Sequence, residues 1–71
     1  MRRTKLQMLM ERDSEAFRKE LLHRYTMHSD SEWQANGKFY RECTFIVNKI
    51  KYGFTMCNGE VTNCKWVLQD A

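Results

Sequence analysis

The dipeptide Asn58-Gly59 lies between two segments in which apolar and polar residues alternate. Asparagine and glycine both tolerate positive φ, so this pair predicts a two-residue β-hairpin with a type I′ turn. The hairpin joins strands over about 50–57 and 60–68. In its regular register Met56 faces Val61, and Val67, farther along the second strand, faces Ile50.

A second two-residue turn at Asn48-Lys49 would add a third strand over about 38–47. Both turns agree with one register, because side chains alternate between the two faces of a sheet. One face then carries a set of mostly apolar residues: Phe39, Cys43, Phe45, Val47, Ile50, Tyr52, Phe54, Met56, Val61 and Val67. The sequence therefore predicts a three-stranded antiparallel β-meander with one apolar face.

The first third of the chain predicts an amphipathic helix over about 5–27. Thr4 and Gln7 have the spacing of a capping box, and neither proline nor glycine occurs before Gly37. An apolar stripe recurs with helical periodicity: Leu6, Leu9, Met10, Ala16, Phe17 and Leu21. We expect this stripe to pack on the apolar face of the meander.

The linking segment repeats the capping-box spacing at Ser29 and Glu32, which predicts a short helical turn over about 30–35 that ends at Asn36-Gly37. Residues 1–71 are thus expected to form a single small α+β domain, with an N-terminal amphipathic helix packed on the three-stranded sheet. The predicted core consists of Leu6, Leu9, Phe17, Phe45, Tyr52 and Phe54.

The three cysteines are expected to be free thiols. In the predicted register Cys43 points toward the helix, whereas Cys57 and Cys64 point to the other face and are not opposite each other. Free thiols indicate a reducing, intracellular and cytoplasmic setting. The first residues lack the apolar segment of a secretory signal, and no run approaches the roughly 20 apolar residues of a membrane span. No membrane partner is expected.

Catalytic and metal-binding signatures are absent from the sequence. His23 and His28 are five residues apart and point in different directions on a helix, and Cys57 and Cys64 lack the spacing of a zinc knuckle. No glycine-rich phosphate loop is present. A Cys-His pair that meets only in space stays open as an alternative. The sequence therefore predicts a protein without enzymatic activity, and with no catalytic residues, metal or cofactor.

The formal net charge of the chain is +3, and basic residues cluster at the start of the helix. Arg2, Arg3 and Lys5 oppose the helix macrodipole there. Two interpretations are open: an unconstrained terminus, or a basic arm that binds an acidic partner such as tubulin, nucleic acid or an acidic protein.

The sheet face away from the helix is expected to be an interaction surface. In the predicted register it carries Tyr40, Ile46, Trp66 and Leu68, with Lys38, Lys51, Glu42 and Glu60 around them. Aromatic and aliphatic groups with a charged rim suit a protein partner. Homodimerisation through this face, and binding of single-stranded nucleic acid, are the alternatives. The candidate partner-binding residues are Arg2, Arg3, Lys5, Tyr40, Lys51, Trp66 and Leu68.

Part of the N-terminal helix resembles the short arginine-led motif of ciliary and flagellar microtubule inner proteins. The resemblance rests on an arginine pair, two leucines, an acidic residue, an aromatic and a Glu-Leu end: Arg2, Arg3, Leu6, Leu9, Asp13, Phe17, Glu20 and Leu21. It covers about 20 residues. It implies a structural role, with tubulin as the partner and no catalysis.

The order of helix and three strands is also similar to the first four elements of a double-stranded RNA-binding domain. The family's lysine-rich start of the last helix is missing, since residues 62–66 hold only Lys65. RNA binding in that mode is not expected. The favoured function is a small non-catalytic protein-interaction module; a nucleic-acid-binding module and a phage or viral inhibitor of a host protein are the alternatives.

Overall fold

The computed structural model describes residues 3–69 and confirms the α+β class. Two helices precede a four-stranded antiparallel sheet whose strands lie in chain order. The elements are α1 (Lys5–Arg12), α2 (Ser14–Arg24), β1 (Ser29–Ala35), β2 (Lys38–Val47), β3 (Ile50–Cys57) and β4 (Glu60–Leu68). Within the described residues, no helix is long and apolar enough to cross a membrane.

Three two-residue turns connect the strands, and both central residues of each turn have positive φ. The predicted turns are confirmed: φ is 51° and 66° at Asn48 and Lys49, and 50° and 87° at Asn58 and Gly59. A third turn, at Asn36-Gly37, has φ values of 52° and 75°. This dipeptide was predicted to stop a helical turn, but it closes a hairpin, as the Asn-Gly pair at 58–59 does.

The predicted helical turn over 30–35 is wrong, because these residues belong to β1. The strand pairs along its whole length with β2, from Ser29 opposite Thr44 to Ala35 opposite Lys38. The Ser29 hydroxyl forms a hydrogen bond with the Thr44 hydroxyl and caps no helix. The meander therefore has four strands instead of the predicted three.

The predicted single helix over 5–27 is interrupted at Asp13 and ends earlier, at Arg24. Asp13 has an extended backbone, with φ of −154°; its N–H donates to Leu9 O, and its carboxylate accepts from Ala16 N at 3.1 Å. Asp13 thus ends α1 and caps α2. The predicted capping box of Thr4 and Gln7 is present at the start of α1.

The core lies between the helices and one face of the sheet. Its buried residues are Leu6, Phe17, Leu21, Cys43, Phe45, Ile50, Tyr52 and Phe54. Every predicted core residue is buried except Leu9, which is partly buried against this cluster. Edge-to-face contact joins Phe17 to Tyr52 with ring centroids 6.0 Å apart, and Phe45 stacks on Phe54 at the same distance.

A β-bulge in β4 changes the predicted register. Val61 lies opposite Met56 as expected, but the next pair is Asn63 with Thr55, so Thr62 is an extra residue. Beyond the bulge β4 is displaced by one position, and a displacement by one moves every side chain to the other face. Trp66 therefore lies opposite Tyr52, on the side of the helices.

Candidate interaction surface

The sheet face without helices is polar at its centre. Pairing brings Thr44, Gly53 and Lys65 into one row across β2, β3 and β4. In the adjacent row Glu42 lies opposite Thr55, and its carboxylate is 3.6 Å from Lys65 Nζ. Such a face is typical of an antiparallel sheet that meets water on one side.

The candidate partner-binding residues of the sheet do not share one face. Tyr40 and Lys51 lie on the face without helices, because they pair with Cys57 and Ile46. Trp66 and Leu68 lie on the other face, opposite Tyr52 and Ile50. The predicted aromatic face that combined Tyr40 with Trp66 and Leu68 is therefore wrong, and the bulge at Thr62 is the reason.

The basic arm is described only in part. Arg2 lies outside the described residues. Arg3 Nη1 is 2.6 Å from Glu11 Oε1 on the surface of α1, and Lys5 is an exposed residue at the start of α1. Arg3 therefore forms an ion pair with Glu11, and both side chains stay accessible to solvent.

Two exposed aromatic side chains, Trp33 and Phe39, lie near the tip of the β1–β2 hairpin. Trp33 stacks on Tyr40, with ring centroids 5.6 Å apart and an interplanar angle of 11°. Phe39 is 63% exposed, the highest value among the exposed large hydrophobic residues of the described chain. These residues border a cleft of about 470 Å³, here called the aromatic cleft, which is lined by Glu32, Trp33, Gln34, Phe39, Tyr40, Arg41, Met56 and Gly59.

The aromatic cleft exists because the hairpin tip extends beyond the helices. Phe39 lies on the same face of β2 as Arg41 and Cys43, which is the predicted apolar face, whereas Trp33 and Tyr40 lie on the other face. α1 and α2 pack across β4 at the opposite edge of the sheet and leave Phe39 uncovered. Two hydrogen bonds hold its backbone: Phe39 N donates to Asn58 Oδ1 at 3.0 Å, and Asn58 N donates to Phe39 O at 2.8 Å. The β3–β4 turn thereby fixes this side of the cleft.

Arg41 forms a charged wall of the aromatic cleft. Its Nε and Nη2 atoms donate to the two carboxylate oxygens of Asp30, each at 2.9 Å, and Glu32 Oε1 is 3.9 Å from Nε. The hydrogen bond with Asp30 raises the pKa of Arg41, and in return it lowers the pKa of Asp30. A bidentate pair of this kind holds both side chains in a defined orientation.

The surroundings of Cys43 and Cys64 do not activate a thiol as a nucleophile. All three are free, and burial raises the pKa of Cys43 and of Cys64. A raised pKa keeps a thiol protonated and less reactive. Within residues 3–69, no group of three or more histidine, cysteine or acidic side chains is arranged to hold a metal ion.

Comparisons of the chain with protein-family models, with curated proteins and with solved structures find no match. Of the residues that border the aromatic cleft, the candidate partner-binding residues include Tyr40 but neither Trp33 nor Phe39. The Asn-Gly dipeptide at 36–37 was the available signal, since it predicts a hairpin as readily as a helix end.

Proposed function

We propose that this protein is a small non-catalytic interaction module that binds a protein partner through the aromatic cleft. The observation that carries the proposal is the exposure of Phe39 in a concave site, which the Trp33–Tyr40 stack borders from the other face of the sheet. Tryptophan, tyrosine, phenylalanine, methionine and arginine are enriched at protein interfaces, and all five line this cleft.

A preorganised cleft favours affinity, because less conformational entropy is lost when the partner binds. The stacking of Trp33 on Tyr40, the Arg41–Asp30 pair and the hydrogen bonds between Phe39 and Asn58 restrict three walls of the site before any partner arrives. These constraints distinguish the aromatic cleft from an apolar patch that is merely exposed, and they support its role in binding a partner.

Nucleic acid is the less favoured partner. A single-stranded nucleic-acid site combines stacking aromatics with cations that contact phosphates. The arginine of the aromatic cleft is already paired with Asp30, and Glu32 adds a further carboxylate. These acidic groups would repel a phosphate backbone.

The basic N-terminal arm is kept as a second contact region in the proposal. Lys5 lies on α1 and would suit an acidic partner surface, and Arg3 could exchange its Glu11 partner for a carboxylate of the bound protein. Tubulin as that partner stays a prediction from the arginine-led motif. Homodimerisation through the sheet face and a role as a host-directed inhibitor also stay predictions.

Affinity capture followed by mass spectrometry tests the proposal. Wild type is compared with Phe39→Ala in the aromatic cleft and with Leu68→Ala as a matched control, since Leu68 is also a large exposed residue, 53% accessible, at the other end of the sheet. We expect a partner that Leu68→Ala retains and Phe39→Ala loses at low and moderate salt. With the purified partner the Phe39→Ala change should weaken binding by about tenfold or more. Capture that depends on Leu68 and not on Phe39, or recovery of nucleic acid alone at low salt, would refute the proposal.

A further inference from the structure

β1 is an edge strand with an unoccupied row of hydrogen-bonding groups. It pairs with β2 alone in the described chain, and all seven of its residues are exposed. The two-residue turn makes Ala35 and Lys38 a hydrogen-bonded pair, and such pairs recur at every second residue. The N–H and C=O groups of Asp30, Glu32 and Gln34 consequently point away from β2.

Few features of β1 discourage the addition of another strand. Its seven residues contain no proline, and the pairing with β2 is regular from Ser29 to Ala35. The opposite edge of the sheet differs, because the bulge at Thr62 interrupts β4. Bulges, prolines and charged side chains are the usual protections of an exposed edge. β1 carries only charges, so it is the edge better suited to accept a strand whose charges complement them.

The charges of β1 select the occupant. Asp30 and Glu32 are two residues apart in β1, so their side chains lie on the same face of the sheet. Ser31 and Trp33 lie on the other face. Arg41 neutralises Asp30 with its bidentate bond, whereas Glu32 lies 3.9 Å from Arg41 and its side chain is 74% exposed. One carboxylate is thus left available to a neighbouring strand.

A second copy of this chain suits this edge poorly in the full-length antiparallel register. If two β1 strands paired antiparallel over all seven residues, Glu32 of each copy would lie directly opposite Glu32 of the other. Like charges in facing positions destabilise a sheet. A strand that carries lysine or arginine at the facing positions would instead gain an opposite-charge pair.

We propose that the partner supplies an extended basic peptide segment, which adds to β1 as a fifth strand. Its backbone would pair with the free groups of Asp30, Glu32 and Gln34. A lysine or arginine of the segment would face Glu32, and an apolar residue next to it in the segment would contact Trp33 on the other face of the sheet. This inference rests on the proposed function and names the chemistry of its partner.

Selection from a library of short random peptides, each long enough to span β1, tests the inference. We expect the selected peptides to share one lysine or arginine next to an apolar residue. Gln34→Pro removes an N–H that the sheet does not use, and proline is tolerated at such an edge position. Gln34→Ala removes the same side chain but keeps this N–H, and binding should be about tenfold or more weaker in Gln34→Pro than in Gln34→Ala.

A second pair of variants tests the charge. Glu32→Gln should weaken the binding of the selected peptides several-fold, whereas Glu20→Gln, which removes a carboxylate that pairs with Arg24 on α2, should leave it unchanged. Selected peptides without a shared basic residue, an absence of selected peptides, or equal binding to Gln34→Pro and Gln34→Ala would overturn strand addition.

The same variants separate this inference from the proposed function. A captured partner that is lost with Phe39→Ala but retained by Gln34→Pro would leave the aromatic cleft as the binding site and exclude strand addition. A partner that Phe39→Ala retains would remove the proposed function itself, whatever the result with Gln34→Pro.

Discussion

Replacement of Phe54 by alanine is expected to remove most of the stability of this domain. Phe54 is only 1% exposed, and its ring stacks on Phe45 in the centre of the core. Truncation of a buried phenylalanine to alanine costs about 3–5 kcal/mol, because apolar contacts are lost and a cavity is left. A chain of 71 residues has a total free energy of unfolding of about 4–11 kcal/mol. The variant should therefore be strongly destabilised or unfolded at room temperature.

Thermal unfolding followed by circular dichroism measures this effect. The midpoint should fall by roughly 12–40 °C, since each kcal/mol corresponds to about 4–8 °C in a domain of this size. Phe39→Ala is the matched control, because Phe39 is also a phenylalanine of the sheet but is 63% exposed. Its free energy of unfolding should change by no more than about 0.5 kcal/mol. Similar midpoints for the two variants would refute the assignment of the core.

Three further perturbations test local features. Gly53→Ala should raise the free energy of unfolding by about 0.4–1 kcal/mol in urea titrations, since the added Cβ would meet its nearest atom at 3.4 Å and alanine restricts the unfolded chain; a loss of stability would contradict the packing around this position. Asp13→Ala should lower the free energy of unfolding by about 1 kcal/mol, because the cap of α2 is lost. An unchanged free energy of unfolding would show that the break between the helices lies elsewhere. Hydrogen bonds lower the pKa of Glu15 and Asp30 in the folded state, so their contribution is present above the unfolded-state pKa and is lost as the pH falls below about 4. Glu15→Gln with Asp30→Asn should flatten this acid dependence, and an unchanged slope would contradict it.

Much of the sheet could be predicted from the sequence, because its turns carry their own chemistry. Asparagine at 48 and 58 supports positive φ, and alternation in the flanking segments gave strands 38–47, 50–57 and 60–68 with the bounds seen in the structure. β1 could not be recognised in this way. Its sequence has no alternation of apolar and polar residues, since the strand is an edge that is exposed on both faces.

The bulge at Thr62 had no comparable signal. A threonine in a strand is unremarkable in sequence, yet one extra residue there moved Trp66 and Leu68 to the side of the helices. Trp66 and Leu68 were consequently predicted on the wrong face of the sheet, whereas Lys51 lies on the predicted face. Tyr40 kept its place, while the aromatic cleft also depends on Phe39, whose exposure follows from where the helices end.

The break between α1 and α2 at Asp13 did have a signal in the sequence. An aspartate within the apolar stripe both narrows the stripe and is a favoured residue for a helix start. The helix pattern on either side was strong enough to predict one continuous element. The break depends on the local hydrogen bond that Ala16 N donates to the Asp13 carboxylate. Apolar periodicity gives no indication of such a bond.

The most direct test of the account maps where the captured partner binds. Backbone amide shifts of the labelled protein are recorded by NMR as the purified partner is added. We expect the shift changes to be concentrated in residues 30–41 and 56–59, around the aromatic cleft and β1. Changes confined to residues 64–68 and the outer surface of α1 would contradict it, and would return the binding site to the edge formed by β4.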